Sequence, residues 1–473
     1  MPASAAAVLR ALATGPGSRV TRFAKSTAAS VTPVRPGRTH ALSPLDNAME
    51  RHTVHVVLYY LAAPGLDRDQ LKESLSEVLS LYPAMTGRLT RGEGGGGGEG
   101  GPTAVEGETP ARRGWVVKCN DAGVRMVDAR AAPTLDEWLA TATGDEEMDL
   151  LYYEPVGPET YIWSPFYIQL TEFADKSYAL GLSCTHIHND PTAAALFFQA
   201  WAAAHRRTTS TYPPFLHAPA FEVSPASPPP PPPILADKSS AAASPAIADA
   251  PAMSSATFHF PASAVRALLA SLEPGTTPFA ALAALFWLRI TAGDEDGERE
   301  LTVALDFRKR MHAPLPWGYY GSAVHLTRVR ADLASGLPAV AAALDRHVTG
   351  VPEDDLWSAV EWLHARQQLQ LEEGGAGEPF QMYGPELTCV ALDHVPMYGA
   401  EFEAGAPPAR VSCRVGGAAG EGLVIVLPAA EGGEARDVVV MLPAEKTASV
   451  CRDGVVLRHG GQVVFGAKAG KVA

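Results

Sequence analysis

The sequence predicts an α/β protein built as two comparable halves. Three observations carry that reading. Short runs of β-branched and aromatic residues alternate with Ala- and Leu-rich runs of helical period, the pattern of a mixed α/β architecture. The 473 residues exceed what one hydrophobic core supports. A Pro/Ala/Ser-rich stretch over about 219–251, proline at every position from Pro228 to Pro233, divides the chain near its middle. The expected organisation is a disordered tail over 1–18, a first domain over 19–218, a disordered, partly polyproline crossover over 219–251, and a second domain over 252–473.

The elements follow in order. The first 45 residues hold no Asp or Glu but carry Arg10, Arg19, Arg22, Lys25, Arg35 and Arg38. They read as a plastid-type transit peptide or as a frayed tail entering a first strand near positions 20–34; the second reading is preferred. His52 to Tyr60 is β-branched and aromatic, a strand. Asp67 then caps a helix whose Leu71, Leu75, Val78 and Leu79 share one face. Positions 92–101, nearly all glycine, form a flexible insertion. Trp115–Cys119 and Val124–Val127 suggest a hairpin around Asp121-Ala122-Gly123. Tyr178–Cys184 reads as a buried strand, and Asp190-Pro191 opens an Ala/Phe-rich helix, the carboxylate capping and the proline at the first helical position.

Beyond the crossover, helices are expected at 262–272, 279–290 and 356–371. Strands are expected at 301–306, 409–415, 423–427 and 438–442, the last two a hairpin around Glu431-Gly432-Gly433.

Composition excludes several functions. A hydrophobic fraction of 47% and a charged fraction of 19% describe an ordinary globular chain, and a net charge of −14 argues against nucleic acid. The best apolar run, Phe279–Leu288, stops at Arg289, short of the ~18–20 residues that span a bilayer, so no transmembrane segment is expected. Cys119, Cys184, Cys389, Cys413 and Cys451 are odd in number, widely spaced and without a Cys-x-x-Cys, which suits a reducing, cytoplasmic setting.

The residues that carry chemistry are His186-Ile187-His188-Asn189-Asp190, placed where a strand hands over to a helix. Three readings stand at this point. His186 is a hydrogen-bonded structural histidine with Asp190 only a cap; or the segment opens a zinc site of the His-x-His-x-Asp-His kind, short of a ligand because Pro191 stands where the last histidine belongs; or His186 is a general base and Asp190 holds its loop.

Further motifs connect these residues to a family. Leu42-Ser43-Pro44-Leu45-Asp46, Tyr82-Pro83-Ala84-Met85-Thr86-Gly87-Arg88-Leu89, Gln169-Leu170-Thr171-Glu172-Phe173 ahead of His186 and Asp190, Asp306-Phe307-Arg308-Lys309-Arg310 and Tyr319-Tyr320-Gly321-Ser322 fall in order along the chain. Together they resemble the BAHD acyltransferases of plants. The resemblance implies two chloramphenicol-acetyltransferase-like domains with a channel between them and His186 midway along it. There His186 would be the general base and Asp190 a structural support of the site, turned away as a cap or the partner of an arginine, with His188 structural or lining the channel. It also implies acyl-CoA as substrate or ligand, no permanently bound cofactor, no metal and a monomer.

Two departures stand out: Pro191 where most members have glycine, and Glu401-Phe402-Glu403-Ala404-Gly405-Ala406-Pro407 where the family has Asp-Phe-Gly-Trp-Gly-x-Pro. With His52-Thr53-Val54-His55 after Leu42–Met49, they make the chain most similar to the eceriferum/glossy branch. That resemblance implies promotion of very-long-chain acyl elongation for cuticular wax with the condensing enzyme of the fatty acid elongase, at the cytosolic face of the endoplasmic reticulum. The alternative is an acyl-CoA-dependent O- or N-acyltransferase using His186.

Overall fold

The computed structural model describes residues 14–15, 17–35, 37–61, 67–91, 114–157, 162–217, 230–241, 252–292, 297–308, 310, 315–372 and 379–466. The glycine run and most of the 1–18 tail lie outside them. Two large sheets organise the molecule. The first runs Val20–Ala28, Val124–Ala131, Phe166–Glu172, Tyr178–Thr185, Thr53–Tyr60 and Arg410–Gly416 in spatial order. Its last strand comes from beyond the crossover, pairing antiparallel with Thr53–Tyr60 so that Cys413 lies opposite Val56. The second half therefore completes the sheet of the first.

The second sheet runs Val324–Asp332, Glu298–Asp306, Thr388–Ala391, Leu423–Pro428, Arg436–Pro443, Met253–Phe260 and Gln462–Phe465. Its central strands are parallel, Val303 beside Cys389 and Val390 beside Ile425. Thr388–Ala391 is buried at every position and Leu423–Pro428 at all but its last, as strands with parallel partners are. The Pro278–Ile290 helix, buried at nearly every position, packs in this core through Phe279, Leu282 and Phe286. Thr277 caps it by accepting from the Ala280 N–H. No helix among the described residues is long and apolar enough to cross a membrane.

Two sequence expectations are corrected. Trp115–Lys118 and Val124–Ala131 do not form a hairpin; the first pairs with Thr39–Ala41 and Arg88–Arg91 in a small sheet, the second joins the first large sheet. Asp121 and Gly123, both at positive φ, turn the chain out of one sheet and into the other. The buried Arg88 guanidinium fixes that turn by donating to the carbonyls of Ala122 and Gly123 at 3.0 and 3.1 Å. The crossover is not unstructured throughout either. Pro233–Ala241 is a helix with Ile234 and Leu235 buried and the Lys238 side chain without exposed surface. Proline suits its first position, and the apolar residues that follow have a core to enter.

A polar tether joins the two sheets away from the His186 segment. Arg410 of the first sheet donates to Asp437 of the second at 2.8 Å, and the other Asp437 oxygen lies 2.7 Å from His259 Nδ1. Glu431 faces His259 Nε2 at 3.0 Å. The Asp437 hydrogen bond raises the His259 pKa above its ordinary value, outweighing burial and the Arg410 charge. A raised folded-state pKa gives stability that is complete below the unfolded value near 6.5 and is lost as pH rises through the folded one. His259→Gln should therefore lower the melting temperature relative to wild type at pH 6, with the difference shrinking at pH 9; a difference independent of pH would remove the ionic role.

Candidate active site

The Tyr178–Thr185 strand ends directly before His186, whose N–H donates to the His52 carbonyl at 2.9 Å. Asp190 follows in extended backbone (φ −97°, ψ 176°), the conformation a following proline favours, and Pro191 starts the Pro191–His205 helix. The Asp190 carboxylate accepts the Ala193 N–H at 2.8 Å, capping that helix.

Asp190 does more than cap. Arg308 grips it with both terminal nitrogens, at 2.8 and 3.1 Å, and the Ala323 N–H adds a further bond at 2.8 Å. The same guanidinium donates to Asp306 at 3.2 Å and to the carbonyls of Tyr319 and Gly321. Every member of this cluster is buried. Burial opposes the Arg308 charge, but Asp190 and Asp306 outweigh it and hold the pKa above the ordinary value. Thr192 donates to Asp306 at 2.5 Å, binding the second half to the same helix end.

Several of the remaining motifs pack on that helix or bridge the two halves. Tyr82 meets Phe197 at 5.3 Å and Tyr320 at 5.4 Å. Ser43 and Asp46 form a capping box, and Asp46 reaches across the halves to accept the Ser322 N–H at 2.6 Å; burial raises its carboxyl to about 7. Phe402, retained in the altered second motif, packs edge-on against Trp201 at 5.0 Å. The turn there keeps Gly405 at φ 77°, where a side chain would be strained. The altered motif thus still buttresses the helix that Asp190 opens.

His186 lies where the halves meet and has 0% of its surface exposed. Tyr383, from beyond the crossover, places its hydroxyl 3.1 Å from His186 Nε2. Nδ1 has no hydrogen-bond partner among the described residues. Burial lowers the His186 pKa, against the pull of Asp190, so the imidazole is neutral at physiological pH. With the ring proton on Nδ1, the tautomer a general base uses, the Tyr383 O–H donates to Nε2 and fills the lone pair that would take a substrate proton. The resemblance implied an imidazole open to a channel; here the His186 side chain has no exposed surface. Grooves of about 500 Å³ beside Pro230–Pro233 and about 450 Å³ beside His259 lie elsewhere, and neither is lined by His186.

His52 and His188 are each held by hydrogen bonds. His52 accepts the Met382 N–H on Nε2 at 3.1 Å, which puts its proton on Nδ1, facing the Gly416 carbonyl at 3.2 Å. Burial depresses its pKa to about 3. His188 bonds Thr185 through Nδ1 at 2.7 Å and sets its ring against Phe166; burial likewise holds its pKa at about 3. Among the described residues no group of three His, Cys, Asp or Glu is placed to hold a metal ion, and Asp190, committed to Arg308, is not available as a ligand.

The fold and motifs now have a family. A family model described as the Transferase family matches residues 104–454, and the chain belongs to that family, the BAHD acyltransferases. Within it, the chain is 27% identical over 450 residues to Protein ECERIFERUM 26-like of Arabidopsis thaliana, covering 90% of this chain and 93% of that one. It is also 27% identical over 440 residues to a hydroxycinnamoyltransferase of Narcissus pseudonarcissus, covering 88% and 95%. Vinorine synthase superposes with a TM-score of 0.66 at 18% identity over 91% of this chain and 96% of that one. Fusarium sporotrichioides TRI101, solved with coenzyme A and T-2, superposes at 0.68 with 15% identity over 90% and 100%. These superpositions establish the chloramphenicol-acetyltransferase-like fold.

Asp190 was expected to act as a cap worth about 0.5–2 kcal/mol, with asparagine a mild replacement. Asp190 is both the cap and the arginine partner that the resemblance implied, and its pairing with a buried guanidinium makes its loss costlier than the loss of a cap. Asp190→Asn keeps an acceptor but removes the carboxylate charge that pairs with Arg308, and such a broken pair costs about 3–5 kcal/mol. Urea unfolding should show a loss of that size for Asp190→Asn and a comparable one for Asp190→Ala. A loss under about 1 kcal/mol for the asparagine variant would reduce Asp190 to a cap.

Proposed function

We propose that this chain is an acyltransferase-like factor that promotes very-long-chain acyl elongation for cuticular wax, beside the condensing enzyme of a fatty acid elongase, without acyl transfer at His186. The carrying observation is the Tyr383 hydroxyl on His186 Nε2. A general base needs its lone pair within about 2.6–3.2 Å of the proton it removes. Here a protein hydroxyl holds that place, while the Asp190–Arg308 scaffold around it is intact. The similarity to Protein ECERIFERUM 26-like supports the same reading. Acyl-CoA is the expected ligand, in keeping with neighbours solved with coenzyme A. The protein would act as a monomer at the cytosolic face of the endoplasmic reticulum; a plastid address would reside in the N-terminal segment, outside the described residues.

A second reading has its own support: the neutral imidazole of His186 and the equal similarity to a hydroxycinnamoyltransferase. In an O- or N-acyltransferase, His186 Nε2 would take the proton of an acceptor hydroxyl or amine as that group attacks the thioester carbonyl. The tetrahedral intermediate then collapses, the thiolate of coenzyme A leaves, and the proton on His186 passes to it. For this, Tyr383 must first leave Nε2.

Co-expression with a plant condensing enzyme, followed by acyl-chain profiling, separates the two. The proposal predicts longer acyl chains only when both proteins are present, an effect largely kept in His186→Ala. It also predicts no appreciable transfer by the purified protein from acyl-CoA to alcohols or amines. Efficient transfer that falls about 10²–10⁴-fold in His186→Ala would establish the ordinary enzyme instead.

A further inference from the structure

We propose that Tyr383 is the gate of the His186 site and that the crossover helix, through Lys238, holds the gate shut. This deepens the reading above and rests on it. The segment carrying Tyr383 is pinned from several directions. Before it, the Met382 N–H donates to His52 Nε2. At Tyr383, the carbonyl accepts from Gln381 Nε2 at 2.9 Å and from the Ala419 N–H at 3.2 Å. After it, Lys238 Nζ donates to the Gly384 carbonyl and to the Glu386 carboxylate, both at 2.6 Å. Thr302 donates to the same Glu386 oxygen.

Lys238 stands out because its side chain has 0% exposed surface. A buried ammonium is costly unless its donors are matched, so its position is set by the groups it clasps. Those groups directly follow Tyr383 and belong to the second half, whereas Lys238 arrives on the crossover. The clasp therefore ties the crossover to the residue that closes the site.

The phenol is suited to closing it. Its ring packs edge-on against His52 at 4.9 Å and lies 5.8 Å from the His186 ring. Burial holds the hydroxyl's pKa well above its ordinary value, so it remains a neutral donor. A neutral O–H donated to Nε2 matches what an acceptor alcohol would present there. Tyr383 thus competes with an acceptor hydroxyl for the same lone pair, and a merely structural tyrosine would have no such competition to enter.

Carbethoxylation of individual histidines by diethylpyrocarbonate, followed by peptide mass spectrometry on the full chain, tests this. In wild type, His186 should be protected as well as His52 and react far more slowly than His217, which is exposed. In Tyr383→Leu, His186 should react at least about tenfold faster, while His52, hydrogen-bonded at both ring nitrogens, stays protected and reports an intact fold. Lys238→Met should raise the His186 rate by several-fold, on the order of what one lost hydrogen bond allows. If Tyr383→Leu also exposes His52, Tyr383→Phe decides: it keeps the ring, and a faster His186 supports the gate while an unchanged rate overturns it.

A wild-type His186 as reactive as His217, or one still protected in a folded Tyr383→Leu, would overturn the gate. The two ideas fail separately. Efficient acyl transfer by the wild type overturns the elongation reading and leaves the protection result standing; an open wild-type His186 overturns the gate and leaves chain-length profiling to judge elongation.

Discussion

A single buried guanidinium fixes the junction of this molecule. Arg308 of the second half satisfies its donors on Asp190, Asp306 and the carbonyls of Tyr319 and Gly321, and both carboxylates lie with it out of solvent. An ion cluster of this kind is a poor source of net stability but a strong specifier of geometry, because any other docking would leave a charge buried and unpaired. Through Asp190 it sets the start of the Pro191–His205 helix, and through that start the orientation of His186. The exchanged strand Arg410–Gly416 and the Ser322–Asp46 bond secure the same junction from other sides.

The family motifs read as scattered fragments along the chain, yet several of them meet in space on or beside one helix. Tyr82 and Phe402 pack on it, Tyr320 packs on Tyr82, and its own Thr192 bonds Asp306, so these motif residues are packing surfaces and hydrogen-bond partners of the segment that follows His186. The altered second motif illustrates this. It has lost the family's first glycine and its tryptophan but keeps Phe402 against Trp201, so the support survives changes that make the sequence look degraded.

Much of the fold was legible because local signals were strong. Asp67 and Asp190 cap where the sequence places caps, and the Val/Leu/Ile-rich runs 423–427 and 438–442 announce two strands of the second sheet, whereas Met253–Phe260, Val324–Asp332, Thr388–Ala391 and Gln462–Phe465 carry weaker local signals and do not read as strands. Local signals failed where tertiary partners decide. The turn at Asp121–Gly123 has hairpin composition, but Arg88 pulls its carbonyls and sends the strands into different sheets. The proline-rich crossover hides a helix that only a waiting core stabilises. At the site, His186 and Asp190 were visible, and Arg308 was visible as part of a motif but not as Asp190's partner. Tyr383 was invisible: it lies 197 residues from His186 in a stretch without periodicity, and nothing in Gln381-Met382-Tyr383-Gly384-Pro385 signals a contact so distant.

The central claim is that the acyltransferase scaffold is kept while its base is occupied by the protein itself. A crystal structure of the full chain with a non-hydrolysable acyl-CoA analogue tests it most directly. The account predicts that the Tyr383 hydroxyl remains within hydrogen-bond distance of His186 Nε2 in the complex, with Asp190 still held by Arg308. A complex in which Tyr383 has swung aside and the analogue's acyl carbonyl sits next to Nε2 would contradict it.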